Sequence, residues 1–166
     1  MVLSKAELIG SLQNEVRILL HLAGKVDARC IDYRPTAKQR STIEWLRYLS
    51  LMGPGLTEAA KTGTFNGEAW GAAQAEVDAM SLEQVVAKIA ALSDYFAKAI
   101  GEMSDADFRT ELERFGQKYT KGSFLVNLVL SGYAAYRTQI FQHLKSCGQE
   151  GLSTMNLWGG MDAPQQ

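Results

Sequence analysis

The side chains best suited to binding metals or attacking substrates are scarce in this chain of 166 residues. It holds two histidines, His21 and His143, and two cysteines, Cys30 and Cys147. The cysteines are far apart and form no CxxC pair, so we expect free thiols in a reducing compartment. Cys30 lies beside Arg29 in an irregular segment, without a visible group to activate it as a nucleophile. We therefore expect both thiols to be inert.

Further candidates lie on the second and last predicted helices. Tyr48 and Tyr136 could hydrogen-bond across a cavity and donate phenolic protons, or simply fill it as core aromatics. His143 is about 10 Å beyond Tyr136 on the same helix face. It is a candidate acid or base, or alternatively a partly exposed histidine stabilised by the helix C-terminus. Arg137 could hold a carboxylate or close an interhelical salt bridge, and Trp45 is most simply a core anchor.

Helices must position these residues, because helix signals dominate the chain. Capping-box patterns mark the expected helix starts: Ser4 with Glu7, Thr36 with Gln39, Ser81 with Gln84, and Ser104 with Asp107. Apolar residues then recur every three or four positions. The predicted helices cover about residues 5–24, Thr36 to Leu51, a short stretch within 68–80, Ser81 to Ile100, a short turn after Ser104, and 123–147.

The segment Gly53-Pro54-Gly55 has two interpretations. A phosphate-binding loop would need the Walker lysine pattern and a preceding strand, and neither is present. We interpret the segment as the end of the second helix. Residues 56–67 are rich in glycine and threonine and are expected to form a loop with room for one helical turn.

No segment alternates between apolar and polar residues over a useful length, so we predict no β-strand. Four principal helices, with a long crossover between the second and the third, predict an all-α four-helix bundle. We expect one domain over residues 1–166. Within it, the C-terminal tail 152–166 is expected to dock partly, through Leu152, Leu157 and Trp158.

The order of these motifs resembles the DinB/YfiT-like superfamily of four-helix bundles. The matching stretches are YRPTAKQRSTIEWLRYL, a crossover broken by glycine and proline, a third helix, and YAAYRTQIFQHLKSCG. Together they extend from Ser4 to the NLWGG tail. The most specific pieces are the R-P-[ST]…W…L-x-[H]-L pattern and the H-x-x-x-H-R-x-Q-[IL] pattern. The resemblance implies a bacterial protein that is often dimeric.

Metal-bearing members of that superfamily hold one ion with a histidine from helix two and two histidines, spaced i and i+4, from helix four. The ion keeps an open position for water or a thiol, and such members are linked to thiol-dependent transfer and isomerase chemistry. In this chain the three positions fall on Tyr48, Gly132 and Tyr136. Shifting the alignment by one residue replaces Gly132 by Tyr133. Glycine has no ligating atom and a phenol is a poor ligand at neutral pH. The resemblance thus implies a divergent member that has lost its metal site, and we expect neither a metal nor another cofactor.

Charge and hydropathy exclude some partners. The net charge is −1, with 17 basic and 18 acidic residues evenly mixed, whereas nucleic-acid binding needs a concentrated basic face. No apolar run reaches the length of a membrane span, and the N-terminus lacks a signal-peptide pattern. We therefore expect a cytoplasmic protein that contacts neither nucleic acid nor membrane.

Three hypotheses for function remain open. The first is a metal-free protein that binds a small organic ligand in a cavity between helices two and four, among Tyr48, Tyr136, Trp45, Arg137 and His143. The second is a homodimeric interaction module whose former active site is filled by Tyr48 and Tyr136. The third is a divergent thiol-dependent transferase whose metal has moved to ligands such as His143 and Glu44.

Overall fold

The structure, a computed structural model, describes residues 3–164. Four long helical stretches form a bundle, and the predicted fold class is confirmed. The α-helices and strands are α1 (Lys5–Ala23), α2 (Thr42–Thr62), α3 (Gly67–Asp78), α4 (Leu82–Ala90), α5 (Leu92–Gly101), α6 (Asp105–Arg109), β1 (Glu111–Arg114), β2 (Gln117–Thr120), α7 (Lys121–Phe124) and α8 (Ser131–Ser146), and a π-helical turn over Met155–Gly159 follows in the tail.

Two of the four bundle helices are composite. The third consists of α4 followed directly by α5, and the fourth consists of α7, a π-helical segment over Leu125–Leu130, and α8. α1 packs against α5 and α8, and α2 also packs against both of them. α3 lies on α2 within the long crossover. Apolar side chains of all four bundle helices meet in one core, including Leu12, Leu46, Phe96 and Tyr133.

The second bundle helix begins later than predicted, because a different capping box is used. The side chain of Ser41 accepts from the backbone N–H of Glu44, and the Glu44 carboxylate accepts from the N–H of Ser41. Thr36 and Gln39 form only a turn, in which the Gln39 N–H donates to the Thr36 carbonyl at 3.0 Å. The expected start at Thr36 was therefore wrong. The other predicted helix starts, at Ser4, Ser81 and Ser104, are confirmed.

The second bundle helix also ends later than predicted, because α2 passes through Gly53-Pro54-Gly55. A Cβ atom at Gly53 would lie 2.7 Å from Cζ of Phe96, and one at Gly55 would lie 2.7 Å from Trp70. These glycines thus permit close packing rather than ending the helix. The loop expected over residues 56–67 is helical as far as Thr62, and Gly63, with φ of 77°, ends the helix.

A short hairpin contradicts the prediction that the chain has no strands. β1 pairs antiparallel with β2, with Arg114 opposite Gln117. Phe115 and Gly116 form the connecting turn with φ of 54° and 70°, respectively. Positive φ at both positions is the geometry of a type I′ turn, for which Asn-Gly is the usual signal. A Phe-Gly turn between strands of only four residues carries no standard hairpin signal.

The C-terminal tail is anchored by polar as well as apolar contacts. Leu152 and Asn156 are buried, and the Asn156 side-chain amide lies 3.0 Å from Nε2 of His21. Trp158 was expected to dock; it covers the guanidinium of Arg137 at 5.1 Å but remains 66% exposed. The last two residues of the predicted tail, 165 and 166, lie outside the described range.

Candidate functional site

A groove of about 540 Å³ lies between α2 and the fourth bundle helix. Tyr48 lines it from α2, and Gly132 and Tyr136 line it from α8. These are the three positions to which the superfamily's metal ligands were assigned, so the structure brings that set together. Phe65 and Trp70 enter from the crossover, and the hairpin closes one end. We call this cavity the aromatic groove.

Aromatic rings form its walls. The Tyr48 and Tyr136 rings meet edge to face with centroids 5.5 Å apart, and Trp70 lies 6.2 Å from Tyr48. Trp45 stacks on Tyr136 at 4.7 Å and 24°. Trp45 is not among the lining residues, so it supports Tyr136 from outside the cavity. Rings fixed by such contacts offer a ligand a rigid apolar surface.

The three converging positions do not fit a divalent cation. Burial raises the pKa of the Tyr48 phenol, and the neighbouring Tyr136 phenol raises it further, so the phenolate that a metal needs is disfavoured at neutral pH. Gly132 offers no ligand, and Met52 fills the space above it: a Cβ atom there would lie 3.0 Å from Cε of Met52. Between residues 3 and 164, no three His, Cys, Asp or Glu side chains cluster as a metal site would require.

Sequence reasoning missed Arg114, which lies on the hairpin and lines the aromatic groove. Its guanidinium carbon lies 4.7 Å from the ring centroid of Phe65 and 5.2 Å from that of Phe115. Phe115 itself is 72% exposed at the tip of the turn. An arginine followed by Phe-Gly carries no recognised binding motif, and its position became visible only with the hairpin.

Arg137, a predicted pocket residue, does not line the aromatic groove. It is 2% exposed in the core, where its guanidinium donates to the Glu15 carboxylate of α1 and to the Leu157 carbonyl of the tail. The arginine therefore makes the interhelical salt bridge that was one of its two expected roles. It is already neutralised and does not present its charge to a ligand.

His143 does not line the aromatic groove either. It is only 1% exposed, which contradicts the interpretation as a partly exposed histidine. Its Nδ1 lies 3.2 Å from the Thr42 hydroxyl, and the Tyr33 ring packs on it at 5.4 Å. Burial lowers its pKa, so the neutral imidazole is favoured. Its Nε2 is buried and has no hydrogen-bond partner within residues 3–164.

The two cysteines are free. Cys30 is buried, and burial, followed by the neighbouring Cys147 and Asp27, raises the pKa of its thiol to about 11. A thiol with a raised pKa is a poor nucleophile at neutral pH. This agrees with the expectation that Cys30 is inert.

Two further cavities adjoin the aromatic groove. A polar cleft of about 610 Å³ contains Arg40, whose guanidinium carbon lies 4.3 Å over the Tyr48 ring from outside the groove. An apolar cavity of about 650 Å³ lies between α2, α3 and α5. It shares Phe65 and Trp70 with the aromatic groove. These two rings therefore form a common wall.

Comparison with known proteins supports the fold but does not assign a function to the groove. No protein-family model matches the sequence, and no curated protein matches it. A DinB-like protein from Bacillus subtilis is similar in structure, with a TM-score of 0.66 and 13% sequence identity over 89% of this chain and 94% of that chain. At this identity the likeness concerns the fold alone. The chain is a helical bundle with a DinB-like fold.

Proposed function

We propose that this protein binds a small organic molecule in the aromatic groove without the help of a metal. The observation that carries the proposal is the groove itself, an open space of about 540 Å³ between α2 and the fourth bundle helix. Small-molecule sites typically fall in the range of roughly 300–1,000 Å³ and are lined mainly by apolar and aromatic side chains. The aromatic groove meets both conditions.

The shape of the walls supports a flat ligand with an apolar body. The faces and edges of Tyr48, Trp70 and Tyr136 surround the space, and the contacts among them fix their orientations. A planar ring system can meet such walls by stacked or edge-to-face contacts. Ser131 and Asn127 add polar groups on one side of the groove.

Blocking the groove tests this proposal. Ala135 is an exposed lining residue of α8, so Ala135→Trp would place an indole in the ligand's space. We use 2-naphthamide as a neutral planar probe and measure its binding by ligand-observed NMR and by calorimetry. Binding to the unsubstituted protein and its loss in Ala135→Trp are expected.

Gln139→Trp provides the matched control, because Gln139 is exposed one turn later on α8 and does not line the groove. The control should bind 2-naphthamide like the unsubstituted protein. Equal binding in both tryptophan variants would contradict the proposal, and so would failure of the unsubstituted protein to bind both this probe and its carboxylate analogue, 2-naphthoate.

The hypothesis of a transferase with relocated metal ligands finds no support in the contacts of Glu44. One carboxylate oxygen of Glu44 accepts from Arg34 at 3.0 Å, and the other accepts from the Ser41 backbone N–H at 2.7 Å. His143 is buried against Thr42. The carboxylate would have to give up its helix cap to bind a metal.

A homodimer is a second candidate role, and an exposed apolar surface on the tail favours it. Trp158, Met155 and Met161 are 66%, 40% and 50% exposed, respectively. Side chains of this type are enriched at protein interfaces. Size-exclusion chromatography with light scattering at tens of micromolar should detect a dimer that Trp158→Ser weakens and Leu3→Ser does not. A monomeric unsubstituted protein would contradict this role.

We also propose a cytoplasmic location. Both cysteines are free, and free thiols are typical of reducing compartments. None of the helices within residues 3–164 is long and apolar enough to cross a bilayer.

A further inference from the structure

We infer that the ligand of the aromatic groove is a planar carboxylate whose negative charge is bound by Arg114. This inference rests on the proposed function and specifies its ligand class. It depends on the charge, the placement and the unmet hydrogen bonds of one side chain.

The charge on the residues that line the groove is positive only. Among the described residues that line it, Arg114 is the only charged one, and the others are aromatic, aliphatic or neutral polar side chains. No ion pair found within residues 3–164 includes Arg114. Its guanidinium is therefore not in direct contact with a carboxylate of the described residues, and a ligand carboxylate would supply that contact.

The guanidinium is also held in place. It lies near both Phe65, at 4.7 Å, and Phe115, at 5.2 Å, and its backbone is fixed by the pairing of β1 with β2. Cation–π contacts with two rings restrict its rotamers before a ligand arrives. Because less conformational freedom remains to be lost on binding, this preorganisation favours affinity.

One hydrogen-bond donor of Arg114 is unused. Its Nε is buried and has no acceptor among residues 3–164. Because this Nε is buried, a ligand in the groove would meet the two terminal nitrogens of the guanidinium, where a carboxylate would add charge-assisted hydrogen bonds. Carboxylate oxygens match the fork of a guanidinium in a bidentate arrangement, whereas a neutral amide oxygen accepts without charge assistance.

The phenols of the groove suit the same ligand. Burial and the neighbouring Tyr136 phenol raise the pKa of Tyr48, so its hydroxyl keeps its proton at neutral pH and can donate either to Tyr136 or to a ligand. With Arg114 at the hairpin end and Tyr48 on α2, donors flank an aromatic space. This distribution favours a ligand that has hydrogen-bond acceptors at its edge and a flat apolar ring system as its body.

The experiment compares two probes of almost identical shape, 2-naphthoate and 2-naphthamide, on the full chain by calorimetry. We expect the unsubstituted protein to bind the carboxylate about 10- to 100-fold more tightly, in line with a hydrogen bond to a charged group. Arg114→Gln should abolish this preference, because it weakens the binding of 2-naphthoate far more than that of 2-naphthamide. Arg114→Lys, which keeps the charge but loses the fork, should retain part of it.

Lys118→Gln is the matched control. Lys118 is exposed on β2 of the same hairpin and does not line the groove, so this variant removes the same charge at a distance. It should keep the preference for 2-naphthoate. Circular dichroism of each variant verifies the fold.

Three results would overturn the inference, and they show whether the proposed function fails with it. Equal binding of both probes, or a preference that survives in Arg114→Gln, contradicts the assignment of the carboxylate while leaving ligand binding in the groove intact. Failure of both probes to bind contradicts the proposed function as well.

Discussion

At the scale of single residues, one glycine decides how closely three helices approach. Gly53 in α2 faces Tyr133 of α8 and Phe96 of α5. The fully buried Tyr133 hydroxyl donates to the Leu49 carbonyl at 2.8 Å, one turn earlier on α2. Any side chain at position 53 would displace both the tyrosine and the phenylalanine. The position thus has a packing role.

We expect Gly53→Ala to lower the free energy of unfolding by about 1–3 kcal/mol, because the added methyl group overpacks the core. Gly10→Ala is the matched control: Gly10 is exposed in α1, and a Cβ atom there meets nothing within 4 Å. This control should raise stability by about 0.5–1 kcal/mol through the better helix propensity of alanine. Urea unfolding followed by circular dichroism measures both, and a neutral Gly53→Ala would contradict the packing role.

At the scale of elements, the start of α2 shows how tertiary contacts choose between two local signals. Both Thr36–Gln39 and Ser41–Glu44 have the spacing of a capping box. The second is used because the irregular connection before α2 supplies further acceptors. The Thr42 and Ile43 N–H groups donate to the carbonyls of Tyr33 and Ile31 at 3.1 and 3.0 Å.

Substituting each of the two possible N-cap residues tests which capping box stabilises the start of α2. Ser41→Ala should cost about 1 kcal/mol of unfolding free energy, since a helix loses its N-cap. Thr36→Ala should be neutral within about 0.5 kcal/mol, as for an ordinary surface substitution. Thermal and urea unfolding of both variants measure the difference. An equal loss in the two variants would show that Thr36 also stabilises the helix start.

The elements also show what could be predicted from sequence. Capping boxes and apolar spacing predicted the bundle, and three of the four capping boxes that were expected to begin helices do so. The placement of Tyr48, Gly132 and Tyr136 around one cavity followed from the motif register. The passage of α2 through Pro54 and the role of Arg114 could not be predicted, because they depend on contacts between distant segments. Arg137 and His143 lie on α8 as expected, but helical spacing alone did not show that both are buried in the core.

At the scale of the whole molecule, folding encloses a histidine that would be hydrated in the unfolded chain. His143 is buried near one end of the bundle, and burial lowers its pKa below the ordinary value of 6.5. Burial also lowers the pKa of His21, against the opposing effect of Asp162. The folded protein therefore binds protons at these sites less readily than the unfolded chain does.

Stability should consequently fall as the pH drops below 6.5, the ordinary histidine pKa, and should not depend on His143 above it. Unfolding free energies measured in urea at steps from pH 7.5 to 5 test this. His143→Gln should reduce the dependence of the unfolding free energy on pH. His21→Gln should remove only the part of that dependence that His21 contributes. Parallel curves for the unsubstituted protein and His143→Gln would contradict the linkage to His143.

The contact between Met52 and Gly132 has a consequence for protein engineering. Installing imidazoles by Tyr48→His, Gly132→His and Tyr136→His would also require Met52 to move, because a Cβ atom at Gly132 would lie 3.0 Å from its Cε and 3.2 Å from its Sδ. Met52 is 1% exposed, so the core around it would have to repack. This DinB-like scaffold therefore differs from a zinc-binding form in its packing as well as in its missing ligands.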